Sequence, residues 1–455
     1  MLLGVDVGGT FTDAVLVVGD RLHTAKAPST PKDQSEGVMD AVRAALEAAG
    51  AEPDDIEVFA HGMTVATNAL LEGNGARTAL VATEGFCDLV ELGRQARREL
   101  YRLCAAHPAP LVPTDRRFPA PERMGPDGVL RELSEDAAEA LADEVAGCEP
   151  EAVAVCLLHA YRHPEHEQRV GEALRERLGD GVHVSLSHET VGTFREYERA
   201  ATTEVDAALS PLLAAYLRRL VERTEEEGLP TPAIMQSSGG LADIDVAADH
   251  AAFTVLSGPA GGAAAAALLA ARCEEPDLLC FDMGGTSCDV CVVEGGAVRE
   301  SAGREVGGRP LALPMVDIHT VGAGGGSIGW RDAGGALRVG PRSAGAEPGP
   351  ACYGRGGTEP TVTDANLVLG HLDPAEPLAG GVELDADAAH AAVKALADEL
   401  DAAGERLGRV EVAEHEVRVG DGGLGAPAAV ARGPGIGARR PRSCLLYTSD
   451  AADEL

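Results

Sequence analysis

Along the first third of the chain, apolar positions switch repeatedly between a period of two and a helical period. The runs "LLGVDVGG" (2–9) and "AVLVVGD" (14–20) are β-rich and flank a glycine turn, which predicts a hairpin. In "DQSEGVMDAVRAALEAAG" (33–50) apolar residues recur at helical spacing and the run ends on glycine, a helix with its stop signal. There follow a strand in "IEVFAHG", a short helix in "TVATNALLEG" capped by Thr64, and a strand in "RTALVAT". Prolines and arginines make 101–135 irregular. Beyond it, "SEDAAEALADEVAG" reads as helix, "AVAVCLLHAY" as a buried strand, and "HPEHEQRVGEALRERLG" as a helix whose first turn carries proline, with His163 and His166 marking only its start.

The pattern then restarts with strand "VHVSLS" and a long helical stretch at about 196–227, broken at Pro211. "AIMQSSGGL" is a strand leading into a turn, "GPAGGAAAAALLAARC" a helix opened by glycines, and "DLLCFDMGG" a return to the sheet, while glycine-rich loops fill 302–360. Such alternation implies mixed α/β layers. One pattern occurs twice. "VDVGGTFTDA" (5–14) and "FDMGGTSCDV" (281–290) align Asp6, Gly8, Gly9, Thr10 and Asp13 with Asp282, Gly284, Gly285, Thr286 and Asp289. The spacing is too wide for a solenoid and indicates two related domains. The division expected is 1–175 with the first glycine loop, 176–415 with the second, and 416–455 as a tail. From Gly422 to Ser449 the tail has no Asp or Glu, and "SCLLYTSDAADEL" reads like translated adapter sequence after a frame change, so it is set aside from fold reasoning.

Composition narrows the function classes. At 455 residues there is chain for a sizeable core. A net charge of −35 argues against nucleic acid and anionic membrane surfaces, both of which need basic partners. No apolar run reaches the ~18 residues of a membrane span, so a cytoplasmic protein is expected. The ten cysteines are scattered like reduced thiols, and Cys288 and Cys291 fall in an apolar strand with no second ligand pair to make a zinc site.

A strand, a glycine turn and a second strand, opened by a carboxylate, suit a nucleoside triphosphate. Glycines let backbone N–H groups approach phosphate oxygens, and threonine hydroxyls add donors. Asp6 and Asp282 cannot face phosphate without a cation between, so they are expected to hold Mg²⁺ or another divalent metal and to orient the attacking group as the catalytic pair. Other nucleotide sites fail on inspection. No lysine follows a glycine as a P-loop requires. "GAGGGS" (322–327) lacks dinucleotide-type spacing, and "GGSIG" (325–329) is not followed by the helix a nucleophile elbow needs.

The two loops resemble the phosphate-binding hairpins of the actin, sugar-kinase and heat-shock-chaperone superfamily. Together with "HGMTVATNALLE", "TEGFCDLVELGRQARRELY", "REYERAATTEVDAAL", "QSSGGL", "SGPAGG" and "EPGPACYGRGGTEPTVTDANLVLG", they make about residues 2–400 similar to the hydantoinase A/5-oxoprolinase family. The resemblance implies an α/β fold of duplicated actin-like (ribonuclease H-like) nucleotide-binding domains with a cleft between them. It implies ATP and Mg²⁺ as cofactors, a small cyclic amide such as a hydantoin or lactam as substrate, a B-type hydantoinase subunit as partner, and an oligomer. Asp6, Gly8, Gly9, Thr10, Thr12 and Asp13 would form one phosphate loop, and Asp282, Gly284, Gly285, Thr286 and Asp289 the other. Ser257, Gly258, Gly261 and Gly262 open a helix whose N–H groups favour an anion, or else allow close packing.

Further candidates are open to two readings each. His61, Thr64, Thr67 and Asn68 either meet ligand or cap a helix. Arg94 and Arg97 either grip an anion or pair with Glu91 or Glu99. Asp317 and His319 share one face of a strand leading into the loop that holds Gly324 and Gly325. The pair is a candidate for metal, and the glycines for nucleotide. Relatives continue into a further glycine-rich stretch near the adenosine that has no match here, so weak ATP binding and an inactive truncated chain are expected. The alternatives to a cyclic-amide hydrolase are an acetone-carboxylase-type subunit using ATP and bicarbonate, and a non-catalytic nucleotide switch.

Overall fold

The computed structural model describes residues 1–8, 11–30, 33–96, 101, 108–285, 288–345, 348–375, 382–402 and 442–445. The chain is a mixed α/β protein whose two compact units are Met1–Val7, Asp13–Gly261 and Glu300–Val316 on the one hand, and Gly8–Thr12, Gly262–Arg299 and Asp317–Leu455 on the other.

In the first unit, apart from the first two residues of β2, the chain runs β1 (Leu2–Val7), β2 (Phe11–Val18), β3 (Arg21–Pro28), α1 (Gln34–Ala49), β4 (Val58–Met63), α2 (Val65–Glu72), β5 (Thr78–Thr83), α3 (Leu89–Leu92) and β6 (Arg117–Ala120). A small hairpin, β7 (Arg123–Gly125) and β8 (Gly128–Arg131), precedes α4 (Glu135–Ala146), β9 (Ala152–Cys156), α5 (Glu165–Leu178), β10 (His183–Leu186), α6 (Ser187–Thr190) and the long α7 (Glu196–Glu226). Next come β11 (Ala233–Met235), β12 (Leu241–Ala242), α8 (Ile244–Asp249) and α9 (Ser257–Arg272), which ends in the second unit.

Two sheets form here, one ordered β12-β11-β4-β1-β2-β3 and the other β10-β9-β5-β6. In β1 the alternation buries Leu3, Val5 and Val7 and turns Asp6 outward. The strands β5 and β9 are buried at every position, which is why they read as unbroken apolar runs; each is parallel to its neighbours. Helix α1 starts at Asp33, whose carboxylate accepts from the Ser35 N–H at 3.2 Å, and stops at Gly50 with φ +63°.

Helix α7 does not break at Pro211. It runs through, with every residue from Arg199 to Ser210 buried and Leu213, Tyr216 and Leu217 buried beyond. A proline in a helix costs about 3 kcal/mol. Burial of each large apolar side chain returns roughly 1.5–3 kcal/mol, so packing on β9, β10 and α2 outweighs one lost bond.

The second unit is built on β13 (Leu278–Met283) and β14 (Cys288–Glu294), an antiparallel pair in which Asp282 faces Asp289 and Cys280 faces Cys291. After β15 (Ala297–Val298) the chain returns to the first unit for β16 (Glu300–Ser301), β17 (Arg304–Val306), β18 (Arg309–Leu311) and β19 (Met315–Val316). It re-enters the second unit with β20 (Ile318–Val321), β21 (Ser327–Arg331), β22 (Leu337–Ser343), α10 (Val362–Val368) and α11 (Ala386–Ala402). Of the tail, β23 (Arg442–Leu445) is described and lies parallel to β13; the rest of 416–455 is outside the described residues. The stretch 302–360 is not simply loop. It holds the hairpins β17–β18 and β21–β22, whose strands of three to seven residues are too short and too rich in glycine to show alternation. Among the described residues no helix is long and apolar enough to cross a membrane.

Candidate functional site

The first glycine loop starts from an exposed carboxylate. Asp6 is exposed at the end of β1, directly opposite Gly62 in the parallel β4. A methyl group on Gly62 would sit 2.7 Å from Asp6 Oδ1, and one on Gly258 would sit 3.5 Å from it. The contact at 258 is an ordinary one, so Gly62 is the position that must stay glycine beside the carboxylate. Gly261 and Gly262 are equally undemanding: a methyl on Gly261 would make ordinary contact with Met235 at 3.7 Å, and one on Gly262 would meet nothing.

Hydrogen bonds across four elements fix the backbone around Asp6. Thr64 stands at the N-terminus of α2, yet its hydroxyl does not cap that helix; it donates to Val7 O at 3.0 Å and accepts from Asn68 Nδ2 at 3.3 Å. Thr67 Oγ1 accepts from the Leu256 N–H at 2.9 Å, and the Ser257 hydroxyl donates to Met63 O at 2.9 Å. His61 is wholly buried. Its Nδ1 lies 3.3 Å from Val5 O, which makes Nδ1 the protonated nitrogen and Nε2 the acceptor of the Tyr216 hydroxyl at 2.8 Å. Burial holds the imidazole down at about 4, against the one backbone bond that favours the charged form. These four side chains thus have structural partners within the first unit. Further along the loop, Thr12 is buried and Asp13 forms an ion pair with Lys26 at 3.2 Å. Gly9 and Thr10 lie outside the described residues, and Gly8 borders them.

The second loop is buttressed by backbone. The carbonyls of Gly284 and Gly285 accept from the N–H groups of Gly325 and Gly326 at 2.8 and 2.6 Å. The two glycine runs read separately in the sequence are therefore docked on one another. Gly324 N–H donates to Ser327 Oγ at 2.9 Å, and Gly325 O accepts from Thr363 N–H at 2.8 Å. A methyl on Gly326 would meet Ser343 Oγ at 2.9 Å and Gly285 O at 3.2 Å, so any larger residue there must push on the loop. Asp282 is half-buried, and Asp289 Oδ1 accepts the Thr320 hydroxyl at 2.6 Å. Thr286 is outside the described residues. Asp317 and His319 are both exposed, and among the described residues no three His, Cys, Asp or Glu side chains gather as for a metal ion.

Several buried polar residues gave no signal in the sequence. Asp364 accepts from the N–H groups of Ala351, Cys352 and Thr361 at 3.2, 2.8 and 2.9 Å, locking the "GPACYG" turn to α10. Glu167 receives Leu157 N–H and Ser187 Oγ on one oxygen and His188 on the other. His166 is more than a helix start: it is buried against Glu122, with Nδ1 at 2.9 Å from Oε2. Arg94 pairs with Glu198, far away in the chain, and Glu91 instead meets Arg117, while Arg97 and Glu99 lie outside the described residues. Only the fold could bring these partners together.

Two stretches of the chain match one family. Residues 2–178 match the Hydantoinase/oxoprolinase N-terminal region and residues 199–425 match Hydantoinase/oxoprolinase. The chain is 39% identical over 401 residues to the caprolactamase subunit alpha of Pseudomonas jessenii, covering 86% of this chain and 58% of that protein. It is 35% identical over 412 residues to the acetophenone carboxylase gamma subunit of Aromatoleum aromaticum, covering 86% and 56%. The crystal structure of the ATP-dependent caprolactamase from Pseudomonas jessenii superposes with a TM-score of 0.79 at 38% identity, covering 87% of this chain and 58% of that one. The chain thus spans rather less than three-fifths of the length of these relatives. On the two family matches and these similarities, the chain belongs to the Hydantoinase/oxoprolinase family.

Proposed function

We propose that the chain is the ATP-using part of an amidohydrolase that phosphorylates and helps open a hydantoin or lactam ring, on a pair of actin-like domains. The observation that carries this reading is the carboxylate of Asp6, packed against Gly62 at the head of a glycine loop that the sequence repeats around Asp282. An amide carbonyl in an unstrained ring is a poor electrophile. Transfer of the γ-phosphoryl group to its oxygen gives an imidate that water can attack, and the protein's share is positioning and charge stabilisation. Backbone N–H groups of Gly8, Gly9, Gly284 and Gly285, with the hydroxyls of Thr10, Thr12 and Thr286, serve the phosphates. Asp6 and Asp282 offer hard oxygen donors of the kind Mg²⁺ takes, and the ion would neutralise phosphate charge when bound. A B-type subunit completing hydrolysis is part of the same reading, and the caprolactamase relative, itself a subunit alpha, supports it.

Similarity to the acetophenone carboxylase gamma subunit supports a second reading, in which ATP activates bicarbonate or a ketone enol. ADP release is measured on this chain, and on a version extended to the length of its relatives, each combined with a B-type subunit. Stimulation by hydantoin, N-methylhydantoin or 5-oxoproline with ring-opened product is expected. Stimulation only by ketone with bicarbonate replaces the first reading with the second, and silence with every compound removes both.

A further inference from the structure

The first unit contains a second feature that the glycine loops do not use. A pocket of about 700 Å³ is lined by α3 and the residues after it, by Pro108 to Leu111, by α7 and by the β17–β18 hairpin. At its wall Glu204 is 1% exposed, and its Oε1 has no hydrogen-bond partner. That is the costly case for a buried carboxyl, so the group persists only with some compensating use. Two guanidiniums act on it from a distance without bonding it. Arg117 is tied to Asp88 and Glu91, and Arg309 donates to Ala109 O at 2.7 Å. Arg94 is held by Glu198, and Tyr197 and Glu305 complete the polar lining. Val90, Leu92, Leu111 and Pro110 supply an apolar wall.

We propose that this pocket takes the polar edge of a cyclic amide, with the Glu204 carboxyl as its hydrogen-bonding partner. The inference rests on the cyclic-amide reading and assigns it a recognition subsite. A lactam or ureide ring fixes its N–H and C=O on one edge, side by side. A carboxylic acid offers the complementary pair, an O–H donor beside a carbonyl acceptor, whereas a carboxylate only accepts. Desolvation pushes Glu204 up to about 8, against the pull of Arg117 and Arg309, so the acid form is the one present at neutral pH. The ring's methylenes lie on the apolar wall. The space exceeds a five- to seven-membered ring and admits substituents or water.

The test titrates the 455-residue chain with 2-pyrrolidone and hydantoin, and with N-methyl-2-pyrrolidone, which lacks the N–H, using calorimetry and saturation-transfer NMR. Both N–H rings are expected to bind, and the N-methyl compound about tenfold more weakly or worse. E204Q, which keeps a donor and an acceptor, stays within a few-fold, and E204L loses at least about tenfold. Wild-type affinity falls between about pH 7 and 9 as the acid ionises, while E204Q shows a flat profile. Equal binding of the N-methyl compound, no binding of either N–H ring, unchanged binding in an E204L variant of native circular dichroism, or the same pH profile in E204Q would each overturn the subsite. The two ideas fail separately. Ring binding through Glu204 with no ring-stimulated ADP release leaves the subsite and removes the hydrolase reading. Ring-stimulated ADP release with an unaltered KM in E204L does the reverse.

Discussion

The two copies of the aspartate–glycine–glycine–threonine pattern occupy different surroundings. Around Asp6 the carboxylate lies close against Gly62, and the bonds of Thr64, Thr67 and Ser257 hold the surrounding backbone. Around Gly284 and Gly285 a second glycine run bonds the loop carbonyl by carbonyl. The closing aspartates differ too, Asp13 paired with Lys26 and Asp289 with the Thr320 hydroxyl. Equivalent residues in a repeat therefore need not have equivalent work. On the proposed reading, the first copy supplies a working side chain and the second a rigid backbone cradle.

Substitutions at the aspartates should separate the copies most widely. D6N removes a charge from the first site while keeping its shape, and is expected to lower ATP turnover by about 10²–10³-fold. D289N keeps an oxygen for the Thr320 hydroxyl and should cost less than about tenfold. Equal losses measured as ADP release would erase the distinction. Next in size is Gly62→Ala. Its methyl would displace Asp6 Oδ1 from 2.7 Å, and because a side chain moves more easily than backbone, turnover should fall about 10–100-fold with little change in Tm. Gly261→Ala, with room at 3.7 Å from Met235, serves as its control and should leave turnover intact.

How far these surroundings were legible depended on the range of the interactions. Local signals carried the β1–β2 turn, the ends of α1 and the buried runs of β5 and β9, because periodicity and capping act over a few residues. The setting of Asp6 was only half visible. The motif marked Asp6 and Gly258, but Gly62 matters because β4 lies parallel to β1 in one register, and register is a long-range property. Thr64 looked like a cap, yet its hydroxyl turned to a strand carbonyl 57 residues away in sequence. Nothing in "ERAATTEVDAAL" singled out Glu204 over Glu198, since their places six residues apart on the helix decide which is buried. Arg199 and Asp206 on the same helix are buried as well, and there the fold supplies partners.

His61 ties the floor of the first copy to α7 and gives that floor a pH dependence. Its folded value near 4 is depressed from 6.5, so the neutral form stabilises the fold fully above 6.5, and that contribution is lost as pH falls towards 4. A loss of about 3 kcal/mol between those limits follows from ~1.4 kcal/mol per unit. Urea midpoints at pH 7 and pH 4.5 should therefore differ more in the native protein than in His61→Gln. An equal acid shift in both would mean that other groups drive the loss.

The smallest effect belongs to the second copy and is one of stability. Gly326→Ala would place a methyl 2.9 Å from Ser343 Oγ and 3.2 Å from Gly285 O. The serine can turn aside, but the carbonyl belongs to the loop backbone that the Gly326 N–H also grips at 2.6 Å. Strain must therefore pass into the loop itself, at about 1–3 kcal/mol. If the second copy is a cradle whose shape is held by this contact, Gly326→Ala should weaken ATP binding together with stability, and Ser343→Ala combined with it should recover only the part due to the hydroxyl. Thermal melts with and without ATP read both quantities. A variant that loses stability yet binds ATP with unchanged affinity would show that the docked glycine run supports the fold of the second unit and not the loop's grip on phosphate.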